Sequence, residues 1–159
     1  MEYDFKNWVS FPSSIKIITD KPEGLTTKRL PWVPVTPRSQ IRVSCKVKTE
    51  GVTVYPSRIG VWVGYDSEEK EIRALYIRPM GAFDWHEDSQ QFVLPDNALR
   101  MMLYLGGAFG TTWFDDLKIY QDDVLIYENN FTAPIAKGAV MTALPIVTGL
   151  GVVRFGKKG

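Results

Sequence analysis

Hydrophobic and polar residues alternate along residues 99–120, which indicates two strands that are each buried on one side. Gly106, Gly107 and Gly110 lie between them and predict a turn. The buried face of the first strand is predicted to carry Leu99, Met101, Leu103 and Leu105, and the returning strand to continue that face with Trp113, Leu117 and Ile119. The pattern is typical of one corner of a β-sandwich.

The same alternation recurs along most of the chain, and no sustained helical period precedes residue 135. Clusters of Gly, Pro, Asn and Asp separate the alternating segments and supply the turns. Strands are predicted at 15–19, 28–35, 40–48, 59–66, 71–78, 90–94, 99–105, 111–120 and 124–127. Short strands with regular turns favour an all-β fold, an antiparallel jelly-roll β-sandwich over residues 1–131, followed by a hydrophobic C-terminal segment over 132–159.

Several segments occur in an order that resembles a known family. They are QIRVSCKVKTEGV at 40–52, RIGVWVGYD at 58–66, the FDW and FVLP segments at 83–95, and GTTWFDD at 110–116. The succession is similar to the jelly-roll carbohydrate-binding modules found beside glycoside hydrolases. The resemblance implies a galactose-binding-like β-sandwich with a binding function, although one fold serves many functions.

Charge and composition narrow the function classes. Lys and Arg number 19 against 18 Asp and Glu, so the chain has almost no net field to attract a long polyanion, and nucleic acid is disfavoured as a partner. The single cysteine, Cys45, falls among inward residues of its strand and is predicted to be a small core residue. No nucleophile motif or metal-binding histidine pair accompanies His86, which is placed in a loop, so we expect no enzyme activity.

Trp62 is the leading candidate for ligand contact. It alternates with the apolar residues of its strand, and Gly60 and Gly64 lie two positions to either side of it. This pattern predicts an indole that lies open on the outer face of the sheet. A flat exposed indole can stack on the C–H face of a sugar, and burial of about 100 Å² at about 25 cal/mol per Å² contributes roughly 2.5 kcal/mol.

Outward positions of neighbouring strands are predicted to complete a groove around Trp62. The oligosaccharide-binding residues are predicted to be Trp62, Arg42, Tyr76, Arg100 and Tyr104. Guanidinium and hydroxyl donors beside an aromatic ring can read sugar hydroxyls or a uronic carboxylate. The alternative is that a loop, or the N-terminal segment around Trp8, covers Trp62.

The acidic pair Asp115 and Asp116 lies in the segment that resembles the closing strand of the modules. The resemblance implies that an acidic residue there helps to hold a structural calcium ion, with Asp4 or Glu2 as helpers. Asp116 is the first choice as a calcium ligand. A solvated or turn-capping pair is the alternative.

The C-terminal segment is apolar and its flanks are basic. Gly138 to Val153 are 16 residues without a charge, about 24 Å as a helix against about 30 Å of hydrocarbon. Ile135 to Phe155 are predicted to bind a membrane or neighbouring subunits of a homo-oligomeric assembly, either as an anchor or as a strand added to a sheet edge. A strand folded back on its own domain is the third possibility. Asn130 begins an Asn-Phe-Thr triplet and is a predicted glycosylation site.

These observations favour recognition or display over catalysis. We expect a non-catalytic carbohydrate-binding surface module, tethered to a membrane or a larger assembly and exposed outside the cell or on a surface. The alternative is a structural subunit of a virion, a surface layer or an extracellular filament.

Overall fold

The computed structural model describes residues 1–10, 13–78 and 80–132. Within them the chain forms eleven strands and no helix, as predicted for an all-β protein. The strands are β1 (Glu2–Asp4), β2 (Ser14–Thr19), β3 (Thr26–Arg29), β4 (Val33–Pro34), β5 (Gln40–Val52), β6 (Arg58–Gly64), β7 (Glu69–Tyr76), β8 (Gly81–Val93), β9 (Arg100–Gly107), β10 (Gly110–Gln121) and β11 (Val124–Asn129).

The strands form two antiparallel sheets that pack face to face. The six-stranded sheet has the order β1-β2-β10-β5-β8, and β11 pairs with the second half of β10. The five-stranded sheet has the order β3-β9-β6-β7, and β4 pairs with the start of β9. The chain crosses repeatedly between the two sheets, which gives the predicted jelly-roll β-sandwich.

Apolar residues from both sheets fill the space between them. Val61 and Leu103 of the five-stranded sheet and Val43 and Ile119 of the six-stranded sheet belong to one buried cluster. Cys45 is fully buried in this cluster, as predicted, and burial raises the pKa of its thiol. The thiol is therefore a packing group.

The predicted strand over 28–35 is wrong in one respect, because it is two strands. β3 and β4 both pair with β9 but leave Leu30, Pro31 and Trp32 between them. Proline has no N–H to donate to a ladder, which explains the break. The interruption places Trp32 beside the outer face of the five-stranded sheet.

The prediction that His86 lies in a loop is also wrong. β8 runs from Gly81, so it includes His86 and the polar residues that follow. His86 and Asp88 pair with the inward-facing residues Val47 and Cys45 of β5. Polar residues at inward positions break the alternation that would predict a strand. They are tolerated because β8 is an edge strand.

A β-bulge in β10 changes which face Trp113 occupies. The register with β5 shifts between Asp115 and Lys118, and Asp116 adopts a left-handed backbone conformation with φ of 50°. The extra residue reverses the alternation, so that Leu117 faces the core while Trp113 faces outward. The prediction that Trp113 shares a face with Leu117 is therefore wrong.

The turn before β10 requires a glycine. Gly110 has φ of 122°, and a Cβ atom built on it would lie 2.5 Å from the backbone oxygen of Gly51. A side chain would meet a fixed backbone atom in a conformation that L residues rarely adopt.

We expect Gly110→Ala to lower the free energy of unfolding by about 1–3 kcal/mol, because it combines backbone strain with a clash against main chain. Chemical denaturation measures the change. Gly24→Ala is the control, since φ there is not positive and the nearest atoms lie at 3.3 Å. Equal stability of Gly110→Ala and the wild type would contradict this account of the turn.

Candidate functional site

The outer face of the five-stranded sheet is built around Trp62, which lies in the middle of β6. Val61 and Val63 on either side of it are fully buried in the core, so the indole points away from the core, as predicted. Trp62 is half-buried. Met102 lies opposite Trp62 on β9 and also points away from the core cluster. It is nevertheless only 2% exposed, so other side chains on the outer face cover it.

Gly60 and Gly64 have no side chains and so leave two spaces on the sheet, the glycine seats, which side chains of the neighbouring strand β9 fill. Tyr104 lies opposite Gly60, and a Cβ atom on Gly60 would come within 1.7 Å of the Tyr104 ring. Arg100 lies opposite Gly64, where a Cβ atom would come within 2.4 Å of its guanidinium. The glycines therefore leave Trp62 without side-chain neighbours on its own strand, but side chains of β9 occupy the space that they leave. They let two predicted ligand-binding residues lie flat on the sheet beside it.

Polar contacts hold both side chains in these seats. The Tyr104 hydroxyl donates to Oε2 of Glu71 at 3.0 Å, and burial together with this bond raises the pKa of Tyr104. The Arg100 guanidinium donates to the carbonyl of Tyr65 at 2.8 Å and to Glu69 at 3.4 Å. The seats are thus fixed by hydrogen bonds as well as by shape.

Three residues of this face were not predicted. The Arg29 guanidinium lies 5.9 Å from the centroid of the Trp62 ring, and the Arg100 guanidinium lies 5.3 Å from that of Trp32. Arg58 enters from the start of β6, opposite Gly106. The alternation within residues 28–35 could have identified Arg29 as an outward residue. The position of Trp32 could not be predicted in this way, because the strand breaks at Pro31.

Arg42 does not belong to this group, which corrects the predicted groove. It lies on β5 in the six-stranded sheet, with its guanidinium 4.0 Å from the centroid of the Tyr120 ring. Alternation along a strand predicts inward or outward but not which sheet a strand joins. A glycan on Trp62 therefore cannot contact Arg42 through the same surface.

Tyr76 lies at the margin of the Trp62 face, on the edge strand β7 and opposite Arg58. It is 41% exposed, and the Arg78 guanidinium lies 5.6 Å from its ring centroid. These two residues line a cleft of about 380 Å³ with Asp88 and Gln90. Tyr76 is placed where it can extend a binding surface past the sheet edge.

The N-terminal segment, which is residues 1–10, covers the part of the outer face of the six-stranded sheet around Trp113. Oδ2 of Asp115 accepts hydrogen bonds from the backbone N–H groups of Val9 at 2.7 Å and Ser10 at 2.6 Å. Oδ2 of Asp4 accepts one from Nε1 of Trp113 at 2.7 Å. Trp113 is only 4% exposed as a result, and the N-terminal segment covers Trp113 and not Trp62.

The predicted calcium ligands already serve as hydrogen-bond acceptors or ion-pair partners. Both oxygens of Asp115 accept backbone N–H groups, one of them from Asp116. The Asp116 carboxylate lies 3.7 Å from Nζ of Lys118, and that of Glu2 lies 3.9 Å from Nζ of Lys16. Among the described residues, no three His, Cys, Asp or Glu side chains converge on a metal-sized site. Calcium binding by Asp115 and Asp116 stays a prediction.

The C-terminal predictions fall at or beyond the limit of the described residues. Asn130 and Thr132 are exposed, whereas Phe131 between them is buried in the core and accepts a hydrogen bond from Ser13. Glycosylation of Asn130 stays a prediction. The apolar segment from Ile135 to Phe155 lies outside the described residues. No helix in the described ranges is long and apolar enough to cross a bilayer.

Comparisons with known proteins bear on the fold. No family model and no curated protein matches the chain. Among solved structures, it is similar to a "Family 16 Carbohydrate Binding Module-2", with a TM-score of 0.55 and 11% identity over 74% of this chain and 82% of that one. It is also similar to the CBM22-1-GH10 modules of Clostridium thermocellum xylanase 10B complexed with xylohexaose, with a TM-score of 0.53 and 16% identity over 74% of this chain and 23% of that one.

A third similar structure comes from a virus. It is the enzymatically active domain of bacteriophage CBA120 tailspike protein 4, with a TM-score of 0.53 and 13% identity. The match covers 77% of this chain and 17% of the tailspike chain. At these identities the likenesses show the fold alone: this chain has the jelly-roll sandwich of carbohydrate-binding modules, as the sequence resemblance implied.

The hydrogen bonds of Asp4 in the N-terminal segment predict that the stability of the protein depends on pH. Burial raises the pKa of Asp4, but hydrogen bonds from Trp113, Lys6 and Asn7 outweigh it and hold the pKa well below its usual range. A lowered folded-state pKa adds stability above the unfolded value of about 3.9 that is lost as pH falls. Burial raises the pKa of Asp115, so Asp115 contributes to the pH dependence of stability with the opposite sign. This contribution is the same in the wild type and in a variant of Asp4.

We therefore expect Asp4→Asn to flatten the decline in the free energy of unfolding between about pH 5 and pH 2. Denaturant titrations at several pH values measure the slopes. Asp123→Asn removes an exposed carboxylate at the β10–β11 turn and is the control for the loss of one charge. A decline as steep in Asp4→Asn as in the wild type would show that the Asp4 contacts contribute nothing to acid sensitivity.

Proposed function

We propose that this protein is a non-catalytic carbohydrate-binding module and that it binds an oligosaccharide on the outer face of the five-stranded sheet. The observation that carries the proposal is the half-buried Trp62 indole, flanked by Tyr104 and Arg100 in their glycine seats. The carbohydrate-binding modules with the same fold support it. Sugar C–H groups stack on the indole, and the neighbouring guanidinium groups donate to sugar hydroxyls or a uronic carboxylate.

The chemistry of this face suits binding better than hydrolysis. The carboxylates of Glu69 and Glu71 already accept hydrogen bonds from Arg100 and Tyr104. A glycosidase needs two carboxyl groups free to act on either side of one bond. Association costs several kcal/mol, so one or two stacked sugar rings give an affinity in the micromolar to millimolar range.

The second candidate function is a structural subunit of a virion, a surface layer or a filament. The similar bacteriophage tailspike is the observation that favours it, because there this fold is part of a phage protein. In either case the apolar segment from Ile135 to Phe155 attaches the sandwich to a membrane or to neighbouring copies, and the sandwich lies outside the cell or on a surface.

Trp62→Ala tests the binding function. We expect the glycan selected on an array of oligosaccharides to lose about 10- to 60-fold in affinity, because about 1.4 to 2.5 kcal/mol of stacking is removed. Isothermal titration calorimetry measures the loss, and a thermal melt confirms folding. Trp8→Ala is the matched control, since Trp8 is 37% exposed and lies in the N-terminal segment over the other sheet.

Undiminished glycan binding by a folded Trp62→Ala variant would contradict the proposal. If the protein is instead a structural subunit, the expected results differ. The wild-type protein then binds no glycan on the array, and the Trp62→Ala variant assembles as the wild type does.

A further inference from the structure

A second pocket lies at one end of the sandwich, away from the centre of the Trp62 face. It is formed by the loops between β4 and β5, between β6 and β7, and between β8 and β9. The cavity is about 540 Å³, within the range of small-molecule sites. Its lining includes Pro37, Tyr65, Asp66, Glu68, Asn97 and Leu99.

Backbone hydrogen bonds tie the three loops together. The N–H of Leu99 donates to the carbonyl of Gly64 at 2.9 Å, and the N–H of Val35 donates to the carbonyl of Leu99 at 3.1 Å. Within the β6–β7 loop, the N–H of Tyr65 donates to the carbonyl of Glu68 at 2.8 Å. The pocket is therefore preformed, which reduces the entropy lost when a ligand binds.

The apolar part of the lining consists of residues just outside two strands. Tyr65 follows the last residue of β6 and packs partly against the core. Leu99 precedes the first residue of β9 and is 45% exposed, although alternation predicts it to be buried. Both apolar groups thus continue the core faces of their strands into the pocket. They offer a surface for the C–H groups of a sugar ring.

The polar part of the lining carries two carboxylates, from Asp66 and Glu68, and the amide of Asn97. Among the described residues, no Lys or Arg lines the cavity. Two guanidinium groups lie near the pocket and both have partners: that of Arg100 donates to the Tyr65 carbonyl and to Glu69, and that of Arg38 lies 3.9 Å from Asp96. Carboxylates accept hydrogen bonds from sugar hydroxyls and repel uronate, sulfate and phosphate groups.

We propose that this loop pocket, defined by Tyr65, Asp66, Glu68, Asn97 and Leu99, is a second saccharide-binding site that takes one uncharged sugar residue. The choice of a sugar as ligand rests on the proposed function. The Trp62 face has the opposite preference, because the guanidinium groups of Arg29 and Arg58 can donate to an anionic sugar there. The two surfaces differ in the glycans that they accept.

Amide chemical shifts of the full chain test the second site and separate it from the first. The probes are the methyl glycosides of glucose, galactose, mannose, xylose and N-acetylglucosamine, each titrated to saturation or to its solubility limit. Methyl glucuronoside is the matched anionic probe. We expect at least one neutral probe to shift the amides of residues 65–68, 97 and 99, and methyl glucuronoside to leave them in place.

Two variants and a matched control identify the pocket side chains. Leu99→Ala and Asp66→Ala are each expected to lower the affinity for the neutral methyl glycoside at least fivefold. Leu125→Ala is the control, because this leucine is 43% exposed but lies on β11 in the six-stranded sheet. An equal affinity in Leu99→Ala, Asp66→Ala and the wild type would overturn the proposal.

The pattern of shifts also distinguishes this inference from the proposed function. Shifts confined to the Trp62 face would overturn the second site and leave the proposed function standing. Shifts confined to the loop pocket would support the second site and count against the Trp62 face. No shift at the pocket with any neutral probe, or an equal shift with methyl glucuronoside, would overturn the second site.

Discussion

The packing of two large side chains on two glycines organises the outer face of the five-stranded sheet. Tyr104 and Arg100 occupy the spaces over Gly60 and Gly64, and Trp62 lies between them. Any Cβ atom at either glycine would displace its partner side chain. Because Glu71 and the Tyr65 carbonyl then hold the seated groups, the aromatic and cationic elements are positioned before a ligand arrives. Preorganisation of this kind reduces the cost of association.

The two sheets use their outer faces in different ways. On the six-stranded sheet, buried Asp115 and Asp4 hold residues 1–10 over Trp113, so an aromatic ring that points outward is closed off. On the five-stranded sheet no such segment from the described residues covers Trp62. The contrast between a covered and a half-exposed tryptophan supports the choice of the Trp62 face as the proposed binding surface.

Much of the fold could be predicted from the chain alone, because alternation and turn residues report burial directly. The failures have local physical causes. A left-handed residue at Asp116 inserts a bulge that reverses the face of Trp113. Polar residues at inward positions of an edge strand break the alternation over residues 81–89 of β8. Pro31 divides one predicted strand and brings Trp32 to the site.

The candidate site was predictable in part. Strand alternation assigns Trp62, Arg100 and Tyr104 to an outer face, and the adjacent strands β6 and β9 bring them together. Arg42 was misplaced because alternation does not reveal which sheet β5 joins. The role of the glycines was also misread, since a glycine in one strand can accommodate a side chain from the next, and such pairing depends on register.

The affinity of Gly60→Ala for the glycan bound by the wild type tests most directly whether the seated Tyr104 prepares the Trp62 face. The account predicts a folded protein in which the displaced ring lowers affinity at least tenfold, whereas Tyr104→Phe, which keeps the ring in its seat, retains most of it. Full affinity in Gly60→Ala, with the Tyr104 ring shown by its NMR signals to have left the seat, would contradict the account.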